Sequence, residues 1–183
     1  MQGVGYVEVE LRRHTRLLHP KLVALIVSVD ASGRPNFMPA AWLTPVSVKP
    51  PLVAVAVAPE RYTYSLVKSS GVFTVNPVDA GMLRVVEEAG SVSGRDVDKA
   101  SSLGVRFLPA LRVGAPCIEG ALACLECRLW AEYPAGDHSI LVGEVQAARA
   151  RRDAWSGAVY DLAKARLLLH LGGDEYATAS RLG

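Results

Sequence analysis

The sequence predicts a mainly β protein: an antiparallel barrel with short covering helices. Three observations carry this. At least six short runs are rich in β-branched and aliphatic residues, turn-forming residues separate them at hairpin spacing, and helical patterns are few and brief. A parallel doubly wound sheet would need strands alternating with longer helical stretches, and the chain lacks that rhythm.

The elements follow in chain order. Residues 22–30 (LVALIVSVD) form the first strand and end at Ala31-Ser32-Gly33-Arg34, a hairpin-turn composition. Residues 35–42 are the returning partner. Pro50-Pro51 blocks helix and forces an extended entry into a strand at 53–57. Residues 62–69 (YTYSLVKS) form a short helix stopped near Gly71, and residues 72–75 form a strand ended by Asn76-Pro77. Asp79 caps a helix over 80–89, with Met82, Leu83 and Val86 on one side and Gly90 as its stop. A long hairpin spans 118–132 and 139–149, turning at Pro134-Ala135-Gly136-Asp137. A helix is expected at 160–167, followed by a less regular segment through Leu171-Gly172-Gly173. No repeat, low-complexity segment or linker divides the chain, so residues 1–183 are expected to form a single domain.

Composition narrows the function classes. Half of the 183 residues are hydrophobic and 21% are charged, enough to build a core without staples and too apolar for general disorder. The longest apolar runs fall far short of the roughly 20 residues that cross a bilayer. Residues 1–16 alternate apolar and acidic residues where a signal segment needs an unbroken apolar stretch. A cytoplasmic protein without membrane partners is expected. Twenty basic against 18 acidic side chains give a net charge of +2, which disfavours a dedicated nucleic-acid binder. Arg149, Arg151 and Arg152 are followed by Asp153 and read as a solvated face.

Cys117, Cys124 and Cys127 are an odd, sparse set that does not suggest a disulfide framework. Cys124 and Cys127 spell C-x-x-C, but in a strand such a pair points to opposite faces and lies roughly 10 Å apart. It cannot bridge, and buried thiols are expected. His14, His19, His138 and His170 are scattered and complete no zinc site.

Polar residues interrupt the apolar pattern at several points. In Asn36-Phe37-Met38-Pro39-Ala40-Ala41-Trp42, small residues either let a flat ligand approach the backbone or fit a tight barrel corner. Arg61-Tyr62-Thr63 opens a helix, as an anion site or as a simple cap beside a solvated arginine. Residues 91–99 (SVSGRDVDK) place glycine, hydroxyls, Arg95 and Lys99 in one loop, either a phosphate clamp or a surface turn. His138 follows Asp137 in the hairpin loop, where it either stacks on a ring or is a plain turn residue.

Together, GRPNFMPAAWLTPVSVKPPLVAVAVAPERYTYSLV, GVFTVNPV, SGRDVDK and GDHSILVGEV resemble, in order, the flavin reductase-like family of FMN-binding split barrels, which includes flavoredoxins and ferric reductases. The likeness spans roughly residues 22–145, with a fainter echo from Leu169 through Tyr176. It implies a six-stranded Greek-key barrel that dimerises and holds FMN at the subunit interface. In such a protein Met38, Pro39, Ala40, Ala41 and Trp42 line the isoalloxazine ring and Ser47 faces the cofactor. Arg61, Tyr62, Thr63 and Asn76 contact the ribityl chain and phosphate. Ser93, Arg95 and Lys99 reach the phosphate, and His138 lies where a nicotinamide docks. Pro39 and Ala41 stand where threonine and serine are frequent, so ring contacts there must come from backbone groups. The activity implied is hydride transfer from NADH or NADPH, with electrons passed to free flavin, ferric complexes or a partner protein and no obligatory catalytic side chain. The alternatives are an FMN-binding electron carrier without its own nicotinamide site, or a structural dimer that has lost the cofactor.

Overall fold

Residues 5–182 are described by the computed structural model; the N-terminal expectation drawn from 1–16 therefore begins in residues outside the described part. A 3-10 helix, Leu11–Leu18, opens the chain and was not foreseen from the sequence. There follow β1 (Lys21–Leu22), β2 (Ala24–Val29), β3 (Pro35–Ala40), β4 (Leu43–Ser47), β5 (Leu52–Val57), helix α1 (Tyr62–Ser70) and β6 (Val72–Pro77). Next come α2 (Leu83–Ser91), α3 (Lys99–Leu103), β7 (Phe107–Leu108), β8 (Cys117–Ile118), β9 (Ala123–Ala135), β10 (His138–Ala150), β11 (Leu168–Gly172) and β12 (Glu175–Thr178).

The main sheet is antiparallel in the order β3-β2-β6-β9-β10-β5-β4. Its two edges, β3 and β4, are consecutive in the chain and separated only by Ala41 and Trp42. They are two halves of one bent strand, which closes six strands into a barrel and leaves the split where it bends. The first hairpin, β2–β3, is set locally. Asp30 Oδ1 accepts hydrogen bonds from the Ser32 and Arg34 amides, and Gly33 takes the left-handed conformation (φ 82°) that the turn requires.

β2 is buried at all six positions because both its faces are covered. Ala24 and Ile26 point into the barrel with Val53, Val55, Val57, Phe73, Val75 and Leu141. Leu25 and Val27 point outward into a second layer with Phe37, Val78, Val86, Ala89 and Ile118. α1 packs against β2, β3 and β6, while β1, β11 and β12 form a small separate sheet.

Several expectations need correction. The segment 160–167 is not a helix. Asp161 closes one turn with Lys164 and Ala165, and the next amide, Arg166 N, donates to Asp79 Oδ2, which draws the chain out of helical register. The irregular tail is an ordered hairpin, β11–β12. Gly90 does not stop α2, which runs on to Ser91; a Cβ on Gly90 would stand 3.2 Å from Pro39 Cγ, so the residue serves close packing. Asp79 does cap this region, through Gly81 N, but the first turn is 3-10 (Ala80–Met82).

The expected strand 118–132 is interrupted at Glu119–Leu122, where Gly120 adopts φ 85°. β8 therefore folds back beside β9, and Cys117 and Cys124 form a disulfide with their Cα atoms 5.8 Å apart. The expectation of buried thiols holds only for Cys127, whose pKa burial pushes up to about 12. Cys117 lies outside the C-x-x-C spacing, seven residues before Cys124, and meets it only because the chain turns back at Gly120.

Inside the barrel, β10 passes so close to β6 and β9 that only glycine fits at position 143. A Cβ there would stand 2.4 Å from Phe73 Cζ and 2.8 Å from Cys127 Cβ. Gly143→Ala should lower unfolding free energy by about 1–3 kcal/mol in urea titration, the usual range for overpacking a core.

Candidate functional site

The bend that closes the barrel also opens it to solvent. Between β3, the corner 41–42, the end of β5, the start of α1 and the chain following α2 lies a cleft of about 870 Å³. Met38, Pro39, Ala40, Ala41 and Trp42 run along one side, facing Ala56, Val57 and Ala58. The corner is held by Ala56 N donating to Trp42 O at 2.9 Å. The two alanines sit at the barrel corner and also line the cleft.

One end of the cleft gathers groups whose chemistry suits an anion. Arg61 is the N-cap of α1 and makes no side-chain cap bond. Tyr64 N donates back to Arg61 O at 3.0 Å, so the helix start offers the Tyr62 and Thr63 N–H groups and the positive end of its dipole to the cleft. Thr63 is buried, and its Oγ1 accepts from Asn36 Nδ2 at 2.8 Å, which leaves the hydroxyl proton free to donate. The loop after α2 folds over this end. A Cβ on Gly94 would stand 1.9 Å from Asn36 Oδ1 and 3.2 Å from Tyr62 Cδ1, so only glycine lets the loop lie this close. Arg95 Nη1 donates to Glu60 O at 3.0 Å, and its guanidinium sits 5.0 Å from the Tyr62 ring centroid. Ser93 Oγ accepts from Arg95 N. Arg61, Tyr62, Thr63, Ser93 and Arg95 are brought together here. Asn36 completes the set: it lines the cleft and donates to Thr63, a contact 27 residues away that no local motif announces.

Lys99 lines the cleft but is not a free phosphate ligand. Its ammonium is buried and donates to Phe37 O at 3.1 Å and Ala89 O at 2.6 Å, tying β3 to the end of α2. Burial, with the nearby Arg61 charge, pushes its pKa down to about 8.

Two expected residues lie elsewhere. Ser47 sits at the far end of β4, away from the cleft lining. Asn76 is fully buried on the opposite side of the barrel wall: its amide donates to Leu25 O and Thr74 Oγ1, and its Oδ1 accepts from Ile118 N. With both amide protons spent on the protein and its side chain fully buried, it pins β8 and does not line the cleft.

At the other end of the cleft, the His138 ring lies against Trp42, with centroids 4.7 Å apart and an interplanar angle of 30°. Its Nδ1 is 2.8 Å from Asp137 Oδ1, which fixes the ring and leaves Nε2 for another partner. Behind it, Glu132 takes hydrogen bonds from Tyr64 Oη and Ser139 Oγ at 2.6 Å each and also pairs with Lys68. These bonds clamp α1 onto the β9–β10 hairpin, so the anion cradle and His138 are held by one network. They also bring the Glu132 pKa down to about 2, with Lys68 the largest cause, then Ser139 and Tyr64.

Residues 16–170 match the model of the flavin reductase-like domain. The chain is 37% identical over 158 residues to an uncharacterised protein of Aeropyrum pernix, covering 86% of this chain and 59% of that protein's length. It is 32% identical over 128 residues to a flavin reductase of Pseudomonas putida, covering 70% of this chain and 72% of the relative. Among solved structures, an FMN-binding protein from Thermus thermophilus with bound p-hydroxybenzaldehyde superposes with a TM-score of 0.80 at 26% identity, each chain covered over its whole length.

The Glu132 clamp has a pH signature. A carboxylate whose pKa is lowered on folding contributes stability that is complete above its ordinary value near 4.5 and disappears as the pH falls through about 2. Glu132→Gln should therefore be less stable than the parent at pH 7, and the gap should narrow steadily below pH 4.5, as read by urea titration across that range.

Proposed function

The chain belongs to the flavin reductase-like family, and from that premise we propose that it is an FMN-dependent oxidoreductase using NADH or NADPH. The observation that carries this reading is one cleft with an apolar, small-residue wall and an anion cradle at one end, the two requirements of a flat ring on a phosphate tail.

The residues present fit FMN. The helix N–H groups of α1, the Thr63 hydroxyl and the Arg61 and Arg95 guanidiniums would hold the phosphate. Met38, Pro39, Ala40, Ala41 and Trp42 would line the ring. Because Pro39 and Ala41 carry no hydroxyl, polar contacts to the ring fall to main-chain groups. When bound, FMN supplies the hydride acceptor and the store of two electrons, which pass on to free flavin, a ferric complex or a partner protein. The chain's own task is positional. Arg61 and α1 anchor the tail, Lys99 locks β3 against α2, and His138, held by Asp137 and Trp42, positions the incoming nicotinamide with Nε2. Hydride transfer between the two rings needs no protein acid or base, and none is invoked.

A homodimer with FMN at the subunit interface is part of the proposal. The outer face around β4, β5 and the β9–β10 hairpin carries Val46, Val48, Trp130 and Tyr133, each more than half exposed, next to Trp42. An apolar surface of this kind on a barrel is what a second copy would cover. Sedimentation of the FMN-loaded protein should give a dimer; a monomer at micromolar concentration would remove this part.

The test of the activity is spectroscopic. FMN-saturated protein should lose its flavin absorbance on anaerobic addition of NADH or NADPH. Bleaching by dithionite but by neither nicotinamide would assign an electron carrier instead, and failure to bind FMN would leave a structural dimer. Arg61→Ala should weaken FMN binding about tenfold or more, the loss of one charge-assisted bond in a partly buried site.

A further inference from the structure

The buried cation of the cleft has no counterion of its own. Lys99 opens α3 and lines the cleft, yet only 6% of the residue is exposed. An ammonium carries three donors. Two are spent, on Phe37 O at 3.1 Å and Ala89 O at 2.6 Å, and among the described residues the third has no acceptor. A neutral amine keeps two N–H groups, enough for both carbonyls. The third proton can therefore leave without breaking either tie between β3 and α2, so the fold holds this side chain in both charge states.

The charged groups around Lys99 leave it uncompensated. Burial, and then the like charge of Arg61 at the start of α1, bring its pKa down to about 8. β3 carries no titratable side chain. On α2, Glu88 pairs with Arg84, and Glu87 acts on Tyr176. In the loop before α3, Asp96 is exposed, and Asp98 is spent on Ala100 N, Ser101 N and Ser101 Oγ. Asp30 is spent on Arg34. The exposed Glu60, with Arg95, His138 and His170, completes the charged and titratable lining of the cleft. None of these carboxylates bonds to the Lys99 ammonium.

An anion arriving in a cleft that already holds Arg61 and Arg95 screens their repulsion and favours the charged form of a neighbouring amine. We propose that Lys99 takes up a proton when a phosphate-bearing ligand fills the cleft, acting through its charge rather than as a ligand, so that binding is coupled to pH. The proton comes from solvent and adds to the Nζ lone pair; no other bond forms or breaks. The coupling rests on the function proposed above, which supplies the FMN phosphate as the anion. It makes the residue that ties β3 to α2 also the one that registers the ligand's charge.

The test counts protons, apart from turnover. Calorimetric titration of FMN into the parent at pH 8, in two buffers of different ionisation heat, should show uptake of about half a proton, the share of Lys99 that is neutral there. The phosphate itself contributes little, its second pKa being about 6. From pH 7.5 to pH 9 the dissociation constant should rise about fivefold to tenfold. Riboflavin, which lacks the phosphate, should take up no proton. Lys99→Gln keeps two N–H donors but cannot titrate, so its FMN affinity should be flat across that range, whereas a merely structural role would weaken binding and leave the slope. No uptake in the parent overturns the proposal, as does uptake that persists in Lys99→Gln or appears with riboflavin. Should that variant not fold, or FMN not bind, heteronuclear NMR of the parent's Lys99 amine decides, with inorganic sulfate, doubly charged throughout this range, as the anion. The Lys99 pKa should rise when sulfate is added, and an unmoved pKa overturns the coupling. A protein that takes up no FMN while sulfate shifts Lys99 loses only the FMN reading.

Discussion

One strand belonging to both edges of the sheet is the constraint on which the rest depends. Residues 35–47 leave one edge as β3, bend at Ala41 and Trp42, and return as β4 on the other edge. Closure removes the exposed edges that an open antiparallel sheet would present. The same bend forces a gap in the wall, because a strand turning a corner cannot keep its ladder through the corner. The cleft is therefore a geometric by-product of closing the barrel, and a wall of small side chains at the corner is what lets it admit a ring.

Polar groups buried around this frame are tied down, and the ties divide the molecule into a fixed side and a receptive side. Glu126, fully buried on β9, accepts from the Leu111 and Arg112 amides. Asn76 and Thr74 hold β8 and Pro116, and the Cys117–Cys124 bridge staples the same loop. Among the described residues, the buried side chains of Asn76, Thr74 and Glu126 on that side are all bonded to the protein. On the cleft side, among the described residues, the Tyr62 and Thr63 amides, the Thr63 proton and the Arg61 side chain remain unspent. The hydrogen-bonding capacity left open is gathered at the cleft.

The parts of the site that were readable along the chain are those whose physics is short-range. Arg61-Tyr62-Thr63 at a helix start, the glycine-bearing loop around Arg95 and the Asp137–His138 pair each declare themselves within a few residues. Lys99 was misassigned because its charge suggested a phosphate partner, whereas its surroundings supply two carbonyls from segments 62 and 10 residues away. Ser47 and Asn76 were placed by family likeness, and neither reaches the cleft. Asn36 went without a role because its importance lies in touching Thr63 and Gly94, neither of them near it in sequence.

By itself the sequence determined the β character, the hairpin at residues 30–34 and the start of α1, which depend on backbone preferences and side-chain alternation that neighbouring residues decide; the family was legible only as the resemblance of four collinear motifs. Tertiary structure alone decided that β3 and β4 are one strand, that Gly120 breaks the expected run so that Cys117 meets Cys124, and which cations are spent on carbonyls and which stay free. Those outcomes depend on which distant atoms arrive at van der Waals distance once the barrel has closed, and no local pattern encodes that.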